Sequence, residues 1–351
     1  MNKEYVFISL FEQFIRDSRK GKRVKADGSR IKGQTIDNYG YVLKLLTEFE
    51  MTKDFYLRIK PATRLTKRQL QTEKNYWKKF YRAFTDFLYK DKGCFDNYVG
   101  SVIKIIRAFF AYLNKDRLIV TGDFYKSFHK KEEDIDIITF LPEQLQFLIN
   151  DKVFEESLIK AQRQVKDVVV VGCTVALRFS DLFNIRFRDI GMVAGSYYLA
   201  VRSIKMDTPT KVKLPGYAVE IIKRLEKGKK PSSRIFSSVS MNQFNKSLQV
   251  LTEKAGWTYE IGKHRSRNGQ SKEVYKNNTK TVYRFCDLVT SHIMRRTAIT
   301  TMLMLGMPEN LVRKISGHAP NSKAFYRYVN FVQSYLDQEI DKVHDRLLKT
   351  V

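Results

Sequence analysis

Two histidines, an arginine and a tyrosine recur at short intervals in the C-terminal part of the chain. They lie in three strings, Ser291-His292-Ile293-Met294-Arg295-Arg296-Thr297, Ile315-Ser316-Gly317-His318 and Phe325-Tyr326-Arg327-Tyr328. Helices and short turns can bring such side chains to one point, and cations that converge on a point require an anion there. A phenol beside them can attack that anion as a nucleophile. The pattern therefore predicts a site for covalent chemistry on an anionic group.

A further arginine, Arg178, ends the apolar run Val168–Leu177. A guanidinium at the end of a buried helix must find an anion, because an unpaired buried charge is costly. Asp181 or Asp189 could supply that anion within the protein, which would make Arg178 structural. A bound ligand could supply it instead.

His292 and Arg295 are three residues apart, so they share one face of a predicted helix. Ser291 is a candidate N-cap, which would place His292 in the first turn, where backbone N–H groups favour an anion. The alternative is a surface histidine beside a solvated arginine. His318 follows Gly317, which is predicted to end the preceding helix, and a histidine at such a joint is often only structural.

The composition favours a polyanionic partner. The chain has 351 residues, which suits two domains, and its 64 Lys and Arg against 37 Asp and Glu give a formal charge of +27. The excess is shared by both halves, as in a clamp around DNA or RNA. Cys94, Cys173 and Cys286 form no CxxC pair, so neither a zinc site nor a disulfide framework is expected. The apolar runs are too short for a membrane span, and no signal peptide is expected.

Hydrophobic periodicity predicts a mainly α (α+β) fold in two domains. The N-terminal domain, over 1–131, is expected to be all-helical, and the second domain, over 141–329, mostly helical. The acidic run Glu132 to Asp136 marks a linker over 132–140. Leu141-Pro142 should start a helix, and Thr35 should cap an earlier one. A small antiparallel β-hairpin is expected from Tyr197–Val201 and Lys211–Leu214, joined by a turn containing Pro209. A second hairpin turn is expected at Asn277-Asn278. The remaining helices are expected at 3–16, 66–90, 97–114, 164–177, 291–305, 308–316 and 330–350.

The motifs resemble those of the tyrosine recombinases, the phage-integrase family. The string from Ala176 to Leu182 is similar to the family's first arginine motif, His292 to Arg295 to its H-x-x-R box, and Ile315 to His318 to its L-G-H box. The resemblance implies that Arg178 and Arg295 hold the scissile phosphate of DNA. It implies that His292 and His318 hydrogen-bond to the same group, and that Asp181 supports the site.

The resemblance also implies a nucleophile and a general acid. The family tyrosine usually lies nine residues after the last histidine, where this chain has Arg327. The loop Ala319–Ser322 looks one residue longer than usual, which favours Tyr328 over Tyr326. Lys205, in the turn of the first predicted hairpin, matches the lysine that protonates the departing 5′ oxygen, with Lys211 and Lys213 as alternatives.

The implied function is a site-specific DNA recombinase, of the integrase type carried by mobile elements, working through a 3′-phosphotyrosyl intermediate without cofactor or metal. The implied partners are double-stranded DNA, further copies of the chain in a tetrameric synapse, and accessory DNA-bending or directionality proteins. The helix over 330–351 carries an apolar stripe, which either docks on a neighbouring subunit or folds back on its own core. A cytoplasmic, nucleoid-associated location is expected. A type IB topoisomerase, a non-catalytic DNA-binding protein and a metal-dependent nuclease are the alternatives.

Overall fold

The computed structural model describes residues 5–204, 208–276 and 279–349. The chain divides into two compact units. The first holds Met1–Ile135 and His264–Val274, and the second holds Asp136–Lys263 and Tyr275–Val351. Both are built mainly from helices, with small antiparallel sheets, which confirms the predicted fold class.

The α-helices within the described residues are α1 Phe7–Arg19, α2 Gly33–Thr52, α3 Lys67–Asp86, α4 Asp96–Lys115, α5 Pro142–Asn150, α6 Lys152–Ser157, α7 Lys160–Val175, α8 Phe179–Leu182, α9 Gly216–Glu226, α10 Met241–Lys254, α11 Phe285–Leu288, α12 His292–Met304, α13 Glu309–Ser316 and α14 Lys323–Lys349. The strands are β1 Tyr5–Val6, β2 Arg58–Ile59, β3 Ile190–Val193, β4 Ser196–Arg202, β5 Pro209–Lys213, β6 Glu260–Ile261, β7 His264–Arg267, β8 Gln270–Glu273 and β9 Tyr283–Arg284. None of these helices is long and apolar enough to cross a membrane.

Aromatic side chains fill the core of the first unit. They recur three or four residues apart along α1, α3 and α4, so each helix presents one aromatic face. Those that are fully buried include Phe7, Phe11, Phe14, Trp77, Phe80, Phe84, Phe109 and Phe110. From the basic stretch that follows α1, the guanidinium of Arg23 packs over the ring of Phe14 at 4.5 Å.

Two helices of the first unit, α2 and α3, differ in how they are capped. Thr66 and Gln69 form a reciprocal capping box at the start of α3. The prediction that Thr35 caps the second helix was wrong, because α2 begins at Gly33 with Lys32 in the N-cap position. The backbone N–H groups of Thr35 and Ile36 already donate to the Lys32 carbonyl, which places Thr35 inside the first turn.

The second unit is organised around α7 and α12. Its core is the apolar run of α7, which packs against α12, α9 and α10. Gly172 makes the close approach of α7 and α12 possible, since a β-carbon there would lie 2.6 Å from the Met294 sulfur. The helix predicted to start at Leu141-Pro142 is α5, with Pro142 as its first residue. The helix predicted at 330–350 is the second part of the longer α14.

Strands β3, β4 and β5 form an antiparallel sheet in that order. The predicted hairpin is therefore present, but Pro209 does not lie in its turn. Pro209 begins β5 and pairs with Arg202. Proline is tolerated there because it is the first residue of an edge strand. Strand β3, which has four residues including Gly191, was not predicted.

The second predicted hairpin lies elsewhere in its segment. Strands β7 and β8 pair antiparallel through the turn Asn268-Gly269, and both turn residues have positive φ, +53° and +80°. Two such residues are the requirement of a type I′ turn, for which Asn-Gly is the favoured pair. The turn expected at Asn277-Asn278 lies outside the described residues. We call residues 264–273 the inserted hairpin, because they belong to the first unit although the second unit precedes and follows them.

Two buried carboxylates of the first unit hold the inserted hairpin. Asp96 accepts hydrogen bonds from the Ser266 hydroxyl at 2.8 Å and from the backbone N–H groups of Asn268 and Gly269, both at 2.9 Å. Glu133 accepts from the guanidinium of Arg265 at 2.7 Å. The hairpin is therefore fixed by charge-assisted hydrogen bonds rather than by apolar packing.

Candidate active site

Arg178 lies just beyond the end of α7. Ala176 ends that helix in the left-handed conformation, with φ of 55°, and the backbone of Arg178 is extended before α8. Its Nη1 donates to the Ser203 hydroxyl at 3.2 Å. Among the described residues, no carboxylate lies within ion-pair distance of Arg178.

The two aspartates considered as structural partners of Arg178 have other roles. Asp181 accepts from the Ser203 hydroxyl at 3.1 Å and from the backbone N–H of Ile204 at 3.0 Å. Asp189 accepts from the backbone N–H of Arg186 at 2.8 Å. The structural alternative, a direct ion pair to either aspartate, is therefore not what the structure contains. Asp181 is linked to Arg178 through the Ser203 hydroxyl.

Arg295 is buried, with 3 % of its surface exposed. Its guanidinium donates to the carbonyl of Ala176 at 2.7 Å and to the carbonyl of Ser316 at 2.6 Å. These carbonyls end α7 and α13, where the helix dipoles are negative, so they stabilise a cation without a carboxylate. Burial, and after it the charge of Arg178, lowers the pKa of Arg295 to about 10. The residue therefore stays charged at neutral pH.

His318 packs directly against Arg295. Gly317 ends α13 in the left-handed conformation, as predicted, and turns His318 towards α12. The Nη2 of Arg295 lies 3.3 Å from His318 Nδ1, and the Ser316 hydroxyl lies 2.8 Å from the same nitrogen. Burial, followed by the charges of Arg295 and Arg178, lowers the pKa of His318 to about 4.

His292 is the first residue of α12 and is exposed to solvent. Burial, followed by the charges of Arg296, Arg295 and Arg178, lowers its pKa to about 4. Both histidines are thus neutral at pH 7 and surrounded by cations, which is the environment that an incoming anion would relieve.

The prediction that Ser291 caps α12 with its side chain was wrong. Ser291 occupies the N-cap position, but its backbone is already helical, with φ of −52° and ψ of −24°, and its hydroxyl makes no cap bond. An N-cap residue needs an extended backbone to turn its side chain onto the helix end. The backbone N–H of Ser291 instead donates to the Asn245 side chain at 2.7 Å.

The two candidate tyrosines have different surroundings. Tyr328 is buried, and its ring lies 5.9 Å from the ring of His318. Its charge acts on the side chain of Arg296, since Tyr328 opposes the lowering of the Arg296 pKa by burial. Tyr326 is 48 % exposed, and its ring lies 4.7 Å from the guanidinium of Arg313. Of the two, only Tyr328 is in contact with the group of residues around Arg295.

Lys205 lies outside the described residues, but the backbone on both sides of it is defined. Asp181 fixes Ile204, and the backbone N–H of Ser203 donates to the carbonyl of Thr208 at 2.9 Å. The alternative Lys211 lies in β5, with its Nζ 4.7 Å from the Tyr198 ring centre. Lys213 also lies in β5.

Arg178, His292, Arg295, His318 and Tyr328 are thus close enough to act electrostatically on one another. Sequence reasoning missed Arg296, which the structure adds to the group. The sequence feature that could have indicated Arg296 is the Arg-Arg pair at 295 and 296. By itself that pair does not distinguish a site residue from a solvated neighbour. Within the described ranges, no three His, Cys, Asp or Glu side chains are placed to hold a metal ion.

Residues 156–333 match the model of the phage integrase family, about half of the chain. The chain belongs to the phage integrase family. This membership confirms the predicted enzyme class, a tyrosine-type site-specific recombinase. It does not favour the topoisomerase or the non-catalytic alternative. A comparison with proteins of curated function gave no match.

Several solved structures of recombinases and integrases share the fold of this chain at low sequence identity. The XerH site-specific recombinase bound to its palindromic difH substrate matches with a TM-score of 0.58 and 14 % identity, over 95 % of this chain and 84 % of that one. The Tn1549 transposon integrase in complex with a circular intermediate DNA matches with a TM-score of 0.56 and 14 % identity, over 92 % and 94 %. A lambda integrase dimer bound to a core site matches with a TM-score of 0.53 and 13 % identity, over 91 % and 94 %.

Proposed function

We propose that this integrase cleaves and rejoins DNA strands at specific sites, with Tyr328 as nucleophile and Arg178, Arg295, His292 and His318 around the scissile phosphate. The observation that carries the proposal is the convergence of Arg178, Arg295 and His318 beside Tyr328. Arg178 and Arg295 have no carboxylate within ion-pair distance among the described residues. Arg295 is buried and Arg178 is half-buried, so an anion from outside would stabilise both, and in DNA that anion is a phosphate.

The charges act mainly on the transition state. Attack on a phosphodiester builds negative charge on the five-coordinate phosphorus, and donors fixed beforehand stabilise that charge without reorganisation. Arg295 is held by two helix-end carbonyls, so its guanidinium does not have to be ordered when DNA binds. Of its five N–H groups, those bonds and the contact with His318 use three, which leaves two for phosphate oxygens.

The bond changes balance without cofactor or energy source. Tyr328 gives its phenolic proton to water, its oxygen bonds to phosphorus, and the bond to the 5′ oxygen breaks with the electron pair on that oxygen. A lysine, for which Lys205 is our candidate, supplies the proton that the 5′ oxygen takes up. In the second step the 5′ hydroxyl of another strand gives its proton to the same lysine and attacks the phosphotyrosine, and Tyr328 leaves and takes up a proton from water.

Asp181 is proposed to support both halves of this chemistry. Through Ser203 it orients Arg178 on the phosphate, and through the Ile204 backbone it fixes the chain immediately before Lys205. One buried carboxylate would then position both Arg178 on the phosphate and the segment that carries the general acid.

Exchange between strands requires more than one copy of the chain on DNA. The similar solved structures contain a recombinase or integrase bound to DNA, and one contains a dimer. On α14 the apolar stripe passes from the buried Val332 to the exposed Leu336 and Ile340. The side chains of Val343 and Leu347 lie outside the described residues. The exposed part of the stripe supports docking on a neighbouring subunit in a tetrameric synapse.

The proposal assigns a role to each part of the chain. The proposed domains are a DNA-clamping domain over 1–131, a linker over 132–140, a catalytic domain over 141–329 and a docking helix over 330–351. Accessory DNA-bending or directionality proteins would select the reaction direction. The protein would act on nucleoid DNA in the cytoplasm of a cell that carries the mobile element.

A nicked suicide substrate tests the proposal. The substrate carries the ends of the DNA element that encodes the protein, with a nick that releases the cleaved fragment and traps the phosphotyrosine. Wild type and Tyr326→Phe are expected to give a covalent protein–DNA complex, and Tyr328→Phe is expected to give none. No complex with wild type would contradict the proposed reaction. Trapping by Tyr328→Phe but not by Tyr326→Phe would contradict the nucleophile.

A further inference from the structure

Ser316 joins His318 to the end of α13. It is the last residue of that helix, only 3 % of its surface is exposed, and it stands where the L-G-H box has leucine. Its hydroxyl oxygen lies 2.7 Å from the carbonyl oxygen of Val312, one turn earlier, and 2.8 Å from Nδ1 of His318. A serine hydroxyl has a single proton, so it can donate to only one of these two atoms.

These two contacts determine which ring nitrogen of His318 carries the proton. A hydroxyl that donated to Nδ1 would leave its oxygen 2.7 Å from the Val312 carbonyl oxygen with no proton between them. If the hydroxyl instead donates to Val312, it accepts from an N–H at Nδ1, and both contacts are hydrogen bonds. Only the tautomer with the proton on Nδ1 therefore satisfies both distances.

Arg295 does not select the other tautomer. Its Nη2 can only donate, but it lies 3.3 Å from Nδ1 and 3.4 Å from Nε2 and so favours neither nitrogen, and it also donates to the Ser316 carbonyl at 2.6 Å. Burial, followed by the charges of Arg295 and Arg178, lowers the pKa of the ring to about 4 and keeps it neutral at pH 7. A neutral imidazole has one N–H, so a proton on Nδ1 leaves Nε2 as an acceptor.

We propose that Ser316 is a positioning residue that fixes the proton of His318 on Nδ1, so that His318 can donate to a DNA phosphate only after Nε2 takes up a second proton. This inference rests on the proposed function, in which His318 faces the scissile phosphate. The second proton comes from water and converts the neutral imidazole into an imidazolium. Its Nδ1 stays on Ser316, and its Nε2 donates to a phosphate oxygen.

The surroundings of the ring explain why the second proton waits for DNA. The charged and titratable groups around it are Arg295 and His292 of α12, Arg178 beyond α7, Arg313 of α13 and the phenol of Tyr328 on α14, whose ring lies 5.9 Å away. The cations among them oppose an imidazolium in the free protein. A phosphate anion beside Nε2 offsets their charge, so the proton and the phosphate should bind together.

The tautomer is tested in the free protein by NMR of the ring nitrogens, with nitrogen-15-labelled histidine at about pH 7.5. Protonated and unprotonated ring nitrogens give distinct signals, and the spectrum of His318→Gln identifies those of His318. Wild type and Ser316→Thr, which keeps the hydroxyl, are expected to carry the proton on Nδ1. Ser316→Ala is expected to carry it on Nε2, because Arg295, which can only donate, then lies beside Nδ1 without the hydroxyl. A proton on Nε2 in wild type, or on Nδ1 in Ser316→Ala, would overturn the inference.

The pH dependence of DNA affinity tests the consequence. If the pKa of His318 rises from about 4 to its ordinary value of 6.5 in the complex, uptake of one proton strengthens binding about tenfold between pH 7.5 and pH 5.5. Ser316→Ala should lose most of that gain, because its neutral ring can already donate from Nε2, and Ser316→Thr should keep it. Fluorescence anisotropy at fixed ionic strength measures both.

Ser18→Ala is the matched control. Ser18 lies on α1 of the first unit, is 2 % exposed, and donates to the Phe14 carbonyl one turn earlier at 2.7 Å, so the same kind of bond is lost without a histidine beside it. It should keep the wild-type pH dependence. Equal pH dependence in wild type and Ser316→Ala would overturn the inference and leave the proposed function intact. An absent covalent complex in wild type would instead remove the proposed function, while the tautomer result for the free protein would stand.

Discussion

Gly172 and Met294 touch where α7 crosses α12, and a β-carbon at position 172 would lie 2.6 Å from the Met294 sulfur and 3.1 Å from its Cβ. Arg178 follows Gly172 at the end of α7, and Arg295 follows Met294 on α12. The spacing of the two helices therefore determines the spacing of the two arginines. A change at Gly172 should act on stability and on phosphate binding together.

The first prediction is that Gly172→Ala destabilises the protein. Forcing an extra methyl group into a packed core typically costs about 1–3 kcal/mol. The free energy of unfolding, measured by urea denaturation, should fall by that amount, and the cleavage rate should fall with it. Gly40→Ala is the control, since Gly40 lies within α2 and a β-carbon there meets nothing within 4 Å. Alanine in that helix should stabilise by up to about 1 kcal/mol. Equal effects at both positions would argue against the packing explanation.

The second prediction concerns Asp181. In Asp181→Asn one of the two acceptor oxygens that hold Ser203 and Ile204 is replaced by a donor. Cleavage of an ordinary phosphodiester should fall at least about tenfold, since a well-placed general acid contributes on the order of 100-fold. A substrate with sulfur in place of the bridging 5′ oxygen should restore part of the rate, because a thiolate leaves without a proton. Asp189→Asn is the control, because Asp189 accepts from the backbone N–H of Arg186 and not from Ser203 or Ile204.

A defect of Asp181→Asn that persists in full on the sulfur substrate would show that Asp181 acts through Arg178 alone. Weaker DNA binding, measured by fluorescence anisotropy, would point in the same direction.

The third prediction concerns pH. Burial and neighbouring arginines lower the pKa of His292 and His318 to about 4, from 6.5 in the unfolded chain. Between these values the unfolded chain binds more protons than the folded protein, so the free energy of unfolding must fall as pH falls from about 6.5 towards 4. The double variant His292→Gln, His318→Gln should lose less stability than wild type between pH 7 and pH 5 in urea denaturation. An identical pH dependence would show that the two histidines are not held neutral.

DNA should oppose this trend. A bound phosphate raises the pKa of both histidines, so the complex takes up protons as it forms. Affinity for the substrate DNA should therefore increase below about pH 6.5 in wild type more than in the double variant. Titrations at fixed ionic strength would check this, because salt changes DNA affinity by itself.

The fourth prediction is that Asp96→Asn destabilises the first unit. Asp96 also accepts from the Tyr89 hydroxyl at 2.6 Å, so its two oxygens serve four donors. The amide group of asparagine would face a backbone N–H that has no other acceptor, at a cost of about 1–3 kcal/mol. Asp116→Asn, an exposed aspartate after α4, should change stability by less than about 0.5 kcal/mol.

The pKa of Asp96 gives a second check. Burial alone would raise it, but the hydrogen bonds, led by that of Tyr89, hold it below the usual value. Its contribution to stability should therefore persist at neutral pH and be lost only as pH falls below the usual aspartate range. Equal melting of Asp96→Asn and wild type at pH 7 would contradict the assigned role.

Local patterns predicted most of the longer helices, although α9 and α10 were not predicted. Apolar spacing predicted α3 and α4 closely, and Gly317 was correctly predicted to end α13. The same reasoning overlooked Asn268-Gly269, a strong turn signal, because the strands on both sides are basic and polar. Those strands pack by hydrogen bonds to Asp96 and Glu133, and partners so distant in sequence leave no periodic trace.

In the site, too, local patterns gave the identity of the residues but not their contacts. Arg178, Arg295, His318 and Tyr328 were chosen from strings that resemble a family, and their proximity depends on helix crossings that no local pattern encodes. The capping role assigned to Ser291 failed because its backbone is already helical, a conformation that depends on its contact with Asn245 on α10 as much as on the local sequence.

The inserted hairpin has a consequence for the order of folding. A ribosome releases the helices of the first unit long before it reaches Ser266 and Gly269, and α5–α10 are made in between. Until then Asp96 lacks three of its four donors and Glu133 lacks the guanidinium of Arg265, so the first unit stays incomplete until the hairpin is made. Such long-range closure slows folding and prolongs exposure of incomplete surfaces. An N-terminal fragment cut before the hairpin should therefore be less stable than its helical content suggests, and a peptide spanning residues 264–274 should bind to it.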